Sequence, residues 1–224
     1  VISRADHTLD SGPLADLRAI FATDPGVGFS IIDCDGVILF VNHRSAELFL
    51  GNATPESMVG RTLVELYGDD WARERIDVFH RMLRSGKPAI MRHIRNGVQL
   101  QSTIRLIQDP AVITENNGAS FSVMTVPGEH DPEPGTDFLT VESGLVHLGP
   151  LDPLTHRELE VLALIGHGMT SQQIGHALFR SVRTVEQHCA SIRKKLRAAS
   201  RIEIAQYAQE AGLTLADAEL RRLH

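Results

Sequence analysis

The stretch Ser181-Val182-Arg183-Thr184-Val185-Glu186-Gln187-His188-Cys189-Ala190-Ser191-Ile192-Arg193-Lys194-Lys195-Leu196 decides how the C-terminal third of the chain folds. At about 100° per residue, Val185, Cys189, Ile192 and Leu196 fall on one narrow stripe, the pattern of a helix that packs one face on a core. Arg183, Gln187, Ala190, Lys194 and Arg197 stand opposite them, and Thr184, His188, Ser191 and Lys195 form one flank. From Phe179 to Arg201, seven Lys or Arg residues face a single acid, Glu186. A helix that is apolar behind, basic at its far end and polar in front has the form of one that enters a DNA major groove. A merely solvated amphipathic helix shares that pattern, so the neighbouring sequence has to decide.

Working outward, Thr155-His156-Arg157-Glu158 is a capping box with Leu154 and Leu159 at staple positions. Leu159, Leu162, Ala163 and Gly166 keep one face of the resulting helix apolar or small, and Gly168 stops it. Thr170-Ser171-Gln172-Gln173 is a second box, opening a short helix through Ile174, Ala177 and Leu178. Ser181 caps the third helix. Ser200-Arg201-Ile202-Glu203 is a third box, opening a helix with Ile204, Ala208 and Ala211 on one side and Gly212 as its stop. Closely spaced, well-capped helices predict an all-α four-helix domain over 151–213, its second and third helices forming a helix-turn-helix.

Leu154-Thr155, Arg157-Glu158, Val161-Leu162, Gly168-Met169-Thr170, Ile174, Leu178, Ser181, Thr184-Val185, His188, Ile192, Lys195-Leu196 and Arg201, in that order, resemble the LuxR/FixJ-type C-terminal DNA-binding domain. The resemblance implies a domain that binds double-stranded DNA as a dimer, with the third helix in the major groove and the fourth pairing subunits. Carried over position by position, it implies phosphate contacts from Thr184, His188 and Lys195, the flank already picked out by helical geometry. It implies base reading by Glu186, Gln187 and Ala190, and Arg183 near the helix start is also placed to reach. Gln can pair with adenine, Arg with guanine, and Glu can accept from cytosine. Some positions depart from the family pattern. Glu186 is acidic where many relatives are basic or neutral, Ser171 and Gln173 replace the usual Asn and acid, and Gly175 replaces the usual Ala.

The 224-residue chain is 42% apolar, enough for real cores. No run approaches the roughly 18 apolar residues of a membrane span, and no signal peptide is evident, so a cytoplasmic location without membrane attachment is expected. Cys34 and Cys189 lie far apart with no metal-type spacing and are expected as reduced thiols. The net charge of −6 is unevenly shared: residues 1–150 carry 12 basic and 20 acidic groups, residues 151–224 carry 10 and 8. An acidic body with a locally basic tail suits a chain that meets nucleic acid at one end only.

The N-terminal half reads as α+β. Leu14 to Phe21 forms a short helix. The runs Val27–Asp33 and Val37–Val41, joined through Cys34-Asp35-Gly36, make the strongest hairpin signal in the chain. Asn42 caps a short helix through Phe49, small helical pieces follow, and a longer helix runs from about Asp70 to Arg84. Ala89–Ile94, Val98–Ile107 and Ser120–Val126 are strand-like, with Asn96-Gly97 as a tight turn. This order predicts an antiparallel sheet with helices. Residues 128–150, rich in acid, Pro and Gly, read as a linker, in which Glu129, His130, Asp131 and Glu133 are taken as solvated rather than metal-ligating. Residues 214–224 form a C-terminal extension, with Thr214 and Asp217 able to cap one more helix.

The order of elements over 14–127, together with Gly36 after an acid, Asn42 opening a helix, and Val59-Gly60-Arg61-Thr62 leading into Leu63-Val64-Glu65-Leu66, resembles a PAS sensory domain. The resemblance implies a five-stranded antiparallel sheet that encloses a small-molecule or cofactor pocket, dimerises, and passes its signal to a C-terminal output domain. Phe40, Trp71, Phe79 and His80 are candidates to line that pocket, and His80 is the candidate ligand if the cofactor is haem. Flavin chemistry is not expected, because neither cysteine sits on the small helices. A phosphoacceptor receiver fails on its acidic pair and late lysine, since Lys87 is the only lysine before residue 150. A lactone-receptor domain, which would carry several Trp and Tyr in its pocket, fails because this half has one of each, Trp71 and Tyr67. The combined reading is a signal-responsive, homodimeric bacterial transcription regulator, with RNA polymerase as a further partner. The alternative is a dimerising interaction protein that titrates partners without specific DNA binding. No nucleophile elbow, zinc-protease motif or phosphate loop supports an enzyme.

Overall fold

The computed structural model describes residues 21, 26–107, 119–131 and 133–223. The helix expected over Leu14 to Phe21 lies, apart from Phe21, outside them. The chain separates into two compact units with boundaries at Arg92/His93, Leu100/Gln101 and Glu142/Ser143.

In the first unit, β1 (Gly28–Asp33) and β2 (Ile38–Val41) form the expected antiparallel hairpin. Its turn is held by the Asp33 carboxylate, which accepts from the backbone N–H groups of Asp35 at 3.0 Å and Val37 at 2.7 Å. Asn42 then does more than cap α1 (His43–Leu50). Its Oδ1 accepts from Ser45 N and from Phe29 N, both at 2.9 Å, while its Nδ2 donates to the carbonyls of Phe21 and Val27. One buried amide therefore fastens the helix start to β1. Helices α2 (Pro55–Met58) and α3 (Leu63–Tyr67) lead into α4 (Asp69–Ser85), which buries Trp71, Ala72, Arg75, Val78, Phe79 and Met82.

The strands β3 (Ala89–Arg95), β4 (Val98–Ile107) and β5 (Ser120–Pro127) fall where sequence places them, and β5 pairs antiparallel with β1. This is the α+β arrangement expected from the sequence, but the sheet is larger than five strands. Its order is β2-β1-β5-β4-β3-β6-β7, adding β6 (Leu139–Val146) and β7 (Arg221–Arg222). Part of the expected linker is thus a strand. Val141 and Ser143 are buried while Thr140, Glu142 and Gly144 face out, the alternation of a half-buried strand, which the buried Val146 breaks at the strand's end. Earlier in that segment, Glu133 pairs with Arg105 at 2.6 Å and Gln101 brackets the His130 backbone with two hydrogen bonds.

The second unit contains the β3–β4 hairpin tip, the end of β6 and four helices: α5 (His156–Gly166), α6 (Ser171–Ala177), α7 (Val182–Leu196) and α8 (Arg201–Ala211). Asn96 and Gly97 both have positive φ, 53° and 73°, as a two-residue turn between twisted strands requires. Ile94 shares one core with Val146, Leu148, Leu151 and Leu154 and with the inward faces of the four helices. Where α5 crosses α8, a Cβ on Gly166 would come within 2.9 Å of the Ala208 carbonyl oxygen, so the absence of a side chain sets the spacing. The C-terminal extension forms a 3-10 turn, Ala216–Glu219, rather than a further α-helix. Thr214 donates through both N and Oγ1 to the Asp217 carboxylate, β7 pairs parallel with β6, and the Arg222 guanidinium donates to the carbonyls of Asp152 and Leu154.

Candidate nucleic-acid interface

Helices α6 and α7 are started by the side chains that local sequence nominates. Thr170 and Gln173 form a capping box, and Ser181 Oγ accepts from Thr184 N at 3.1 Å. The turn between them is tight. Arg180 N donates to the Gly175 carbonyl at 2.8 Å, and a Cβ on Gly175 would sit 2.8 Å from the Arg180 carbonyl oxygen. Glycine at this helix-interior position loses about 1 kcal/mol of helix propensity, and close approach of the turn is what it makes room for.

On α7, Val185, Ile192 and Leu196 are buried and Cys189 is half-buried, so the apolar stripe faces the core as read from the sequence. Burial pushes the Cys189 thiol up, against the nearby Arg201 charge. Arg183, Glu186, Gln187 and Ala190, the four candidate base readers, are all exposed, as are Arg193, Lys194 and Arg197. Thr184 and His188 on the flank are half-buried. Thr184 Oγ1 lies 2.9 Å from Ser181 Oγ. Four cations crowd the last turn and C-cap of α7, where they also complement the helix dipole.

Lys195 is placed on the same flank, but its ammonium is already engaged. It donates to Glu158 Oε2 at 2.6 Å, and Ser191 Oγ donates to Glu158 Oε1 at 2.5 Å. The same carboxylate accepts from Thr155 N at 2.7 Å and Thr155 Oγ1 at 2.9 Å. Burial, with Glu158 only 4% exposed, would by itself push this carboxyl up; Lys195, Ser191 and Thr155 together outweigh it and hold it at about 2. One glutamate thus caps α5 and fastens α7 to it. The capping box reveals its first role; the second depends on packing between helices distant in sequence and leaves no local signal.

Among the described residues the sensor candidates pack against different neighbours. Phe40 is half-buried near Phe29, Phe79 stacks on Phe121 at 4.3 Å, and Trp71 packs on Tyr67 and Phe49. His80 points to solvent, so haem held by His80 does not fit these residues. The buried face of α4 instead runs Trp71, Arg75, Val78 and Met82, with the Arg75 guanidinium 3.9 Å from the Trp71 ring centre and paired with Glu74. Sequence reading misses that buried cation, because arginine counts as polar in a periodicity although its stem and guanidinium plane pack well on aromatics.

Residues 152–208 match the family described as bacterial regulatory proteins, luxR family. The transcriptional regulatory protein LiaR of Bacillus subtilis (strain 168) is 43% identical over 72 residues, 30% of this chain and 34% of LiaR. The oxygen regulatory protein NreC of Staphylococcus carnosus (strain TM300) is 44% identical over 59 residues, 26% of this chain and 27% of NreC. The chain therefore spans about a third or less of these relatives. Among solved structures, the Vibrio cholerae VqmA–ligand–DNA complex is similar over 92% of both chains, at 19% identity and a TM-score of 0.48. The chain thus carries, at residues 152–208, a helix-turn-helix domain of the luxR family of bacterial regulatory proteins.

Proposed function

We infer that the chain is a signal-responsive transcription regulator that binds duplex DNA as a homodimer through α7. The observation that carries this reading is the sidedness of α7. Val185, Ile192 and Leu196 are buried, while Arg183, Gln187 and Lys194 are exposed on the opposite face. In the proposed complex, Arg183, Glu186, Gln187 and Ala190 read base edges. Thr184 and His188 touch phosphate, joined by Lys195 with whatever reach Glu158 leaves it. Phosphate contacts set register and supply salt-dependent affinity, and base contacts choose the sequence. The names of LiaR and NreC, both regulatory proteins, support the assignment of the domain.

The PAS-like region, residues 14–127, is the sensor in this reading, and 151–213 is the output. A small molecule that binds one conformation of the sensor better than another would shift the population competent for DNA. The working compartment is the cytoplasm, where DNA and RNA polymerase are both within reach. Among the described residues no helix is long and apolar enough to cross a membrane.

The test is a salt titration of the full chain on its selected site and on mixed-sequence duplex. A regulator gives a steep fall of log affinity with log salt and prefers its own site by roughly 10³-fold or more. A shallow slope with equal affinity for every duplex overturns the reading in favour of a partner-titrating interaction protein.

A further inference from the structure

Phe179, in the turn between α6 and α7, is the most exposed large apolar side chain among the described residues, at 88%. It also has φ of 53°, in the left-handed region where a Cβ is disfavoured and where Gly or Asn sits more easily. An aromatic ring held in water on a strained backbone gains nothing inside the fold, and it takes no part in the core of its unit. The turn gives it no freedom to retreat. Leu178 before it is buried, Phe179 N donates to the His176 carbonyl at 3.3 Å, and Arg180 N donates to the Gly175 carbonyl at 2.8 Å. Gly175, which has no Cβ to push the turn away, lets that closure happen.

The surroundings say what kind of surface the ring meets. Arg180 and Arg183 are exposed on either side of the cap, Val182 is 42% exposed, and the nearest acid downstream is Glu186. A matching partner offers an apolar patch flanked by negative charge, at the entrance of a helix whose N-terminal residues read bases. The sugar–phosphate backbone has that chemistry, a deoxyribose carbon face between phosphates. Strain kept at such a position points outward to a ligand rather than inward to stability.

We propose that Phe179 is a DNA contact that packs its ring on a deoxyribose at the edge of the major groove, with Arg180 on the adjacent phosphate. The proposal rests on the DNA-binding reading above and adds a sequence-independent anchor in the turn. It sets the angle at which α7 enters the groove.

The test uses the full chain, Phe179→Asn and Phe179→Leu, on mixed-sequence duplex over a range of salt. Asn accepts the left-handed backbone, so Phe179→Asn keeps or raises the thermal midpoint while losing about tenfold in affinity at every salt concentration. The slope of log affinity against log salt stays unchanged, because the ring carries no charge. Phe179→Leu, which keeps an apolar contact, recovers most of the loss. Undiminished affinity in Phe179→Asn overturns the proposal and leaves the ring to a protein partner. A slope reduced by about one also overturns it, since that marks a lost arginine contact and not a lost ring. Absence of duplex binding by the unaltered chain overturns the DNA reading itself, and this proposal with it.

Discussion

Replacing Glu158 by glutamine keeps the shape and most of the hydrogen bonds at the α5–α7 junction and removes one negative charge. The new amide could still accept from Lys195 and Thr155 through its oxygen and donate to Ser191 Oγ through its nitrogen. What disappears is the preference of the fold for the ionised form. A carboxyl held at about 2 against an ordinary 4.5, at about 1.4 kcal/mol per unit, contributes about 3 kcal/mol. The group is only 4% exposed, so solvent screening does little to reduce that figure. The sign follows from the direction of the shift. The native carboxyl is depressed, so its stabilisation is complete above the unfolded value and is lost as pH falls towards 2. The unaltered chain should exceed Glu158→Gln by about 3 kcal/mol at pH 7, and by only about 1 kcal/mol at pH 3. Urea titrations followed through the NMR amide signals of α5 and α7 read this unit alone, without assuming that the whole chain unfolds in one step. A stability gap that stays constant from pH 7 to pH 3 refutes the assignment of Glu158 as the charged tie between the helices.

Lys195→Ala removes the strongest of the contacts that lower the Glu158 carboxyl, so the Glu158 midpoint, followed by carbon NMR of the side chain, should rise from about 2 towards ordinary carboxylate values; no movement would mean the ion pair at 2.6 Å is not formed in solution. Gly166→Ala places a methyl against the Ala208 carbonyl and should lower the thermal midpoint at a cost of about 1–3 kcal/mol, with a rise in stability contradicting the close crossing of α5 and α8. Asn42→Ala removes the α1 cap and strands the buried Phe29 N–H, for a loss of about 2–4 kcal/mol, read from the fluorescence of Trp71 during urea unfolding of the first unit. A loss under about 1 kcal/mol would show that water replaces the amide there.

What is legible without coordinates is what is local. Thr155, Thr170, Ser181 and Ser200 each accept from the N–H three residues on, so four helix starts are visible in short spacings. The inward stripe of α7 is likewise a property of one helix. Glu158–Lys195 spans 37 positions and exists only once α5 and α7 are packed. β6 carries its alternation openly, but Gly144 and the Pro- and Gly-rich run before it make the segment resemble a linker. β7 is two residues long and is defined by its partner alone. On α4 the two readings differ in face. Placing His80 beside Phe79 on the pocket side leaves out Arg75, whose guanidinium lies over Trp71, and turning the helix to bury Trp71, Arg75, Val78 and Met82 sends His80 outward. The exposure of Phe179 is equally hidden, since a Phe beside a buried Leu178 reads as core until the turn is seen.

Arginine modification mapped by mass spectrometry, with and without saturating duplex, puts the exposed face of α7 to the most direct test. The account predicts that DNA protects Arg183, with Arg180 beside it, and leaves Arg73 on α4 unchanged. Equal modification of Arg183 in the presence and absence of bound duplex would contradict it.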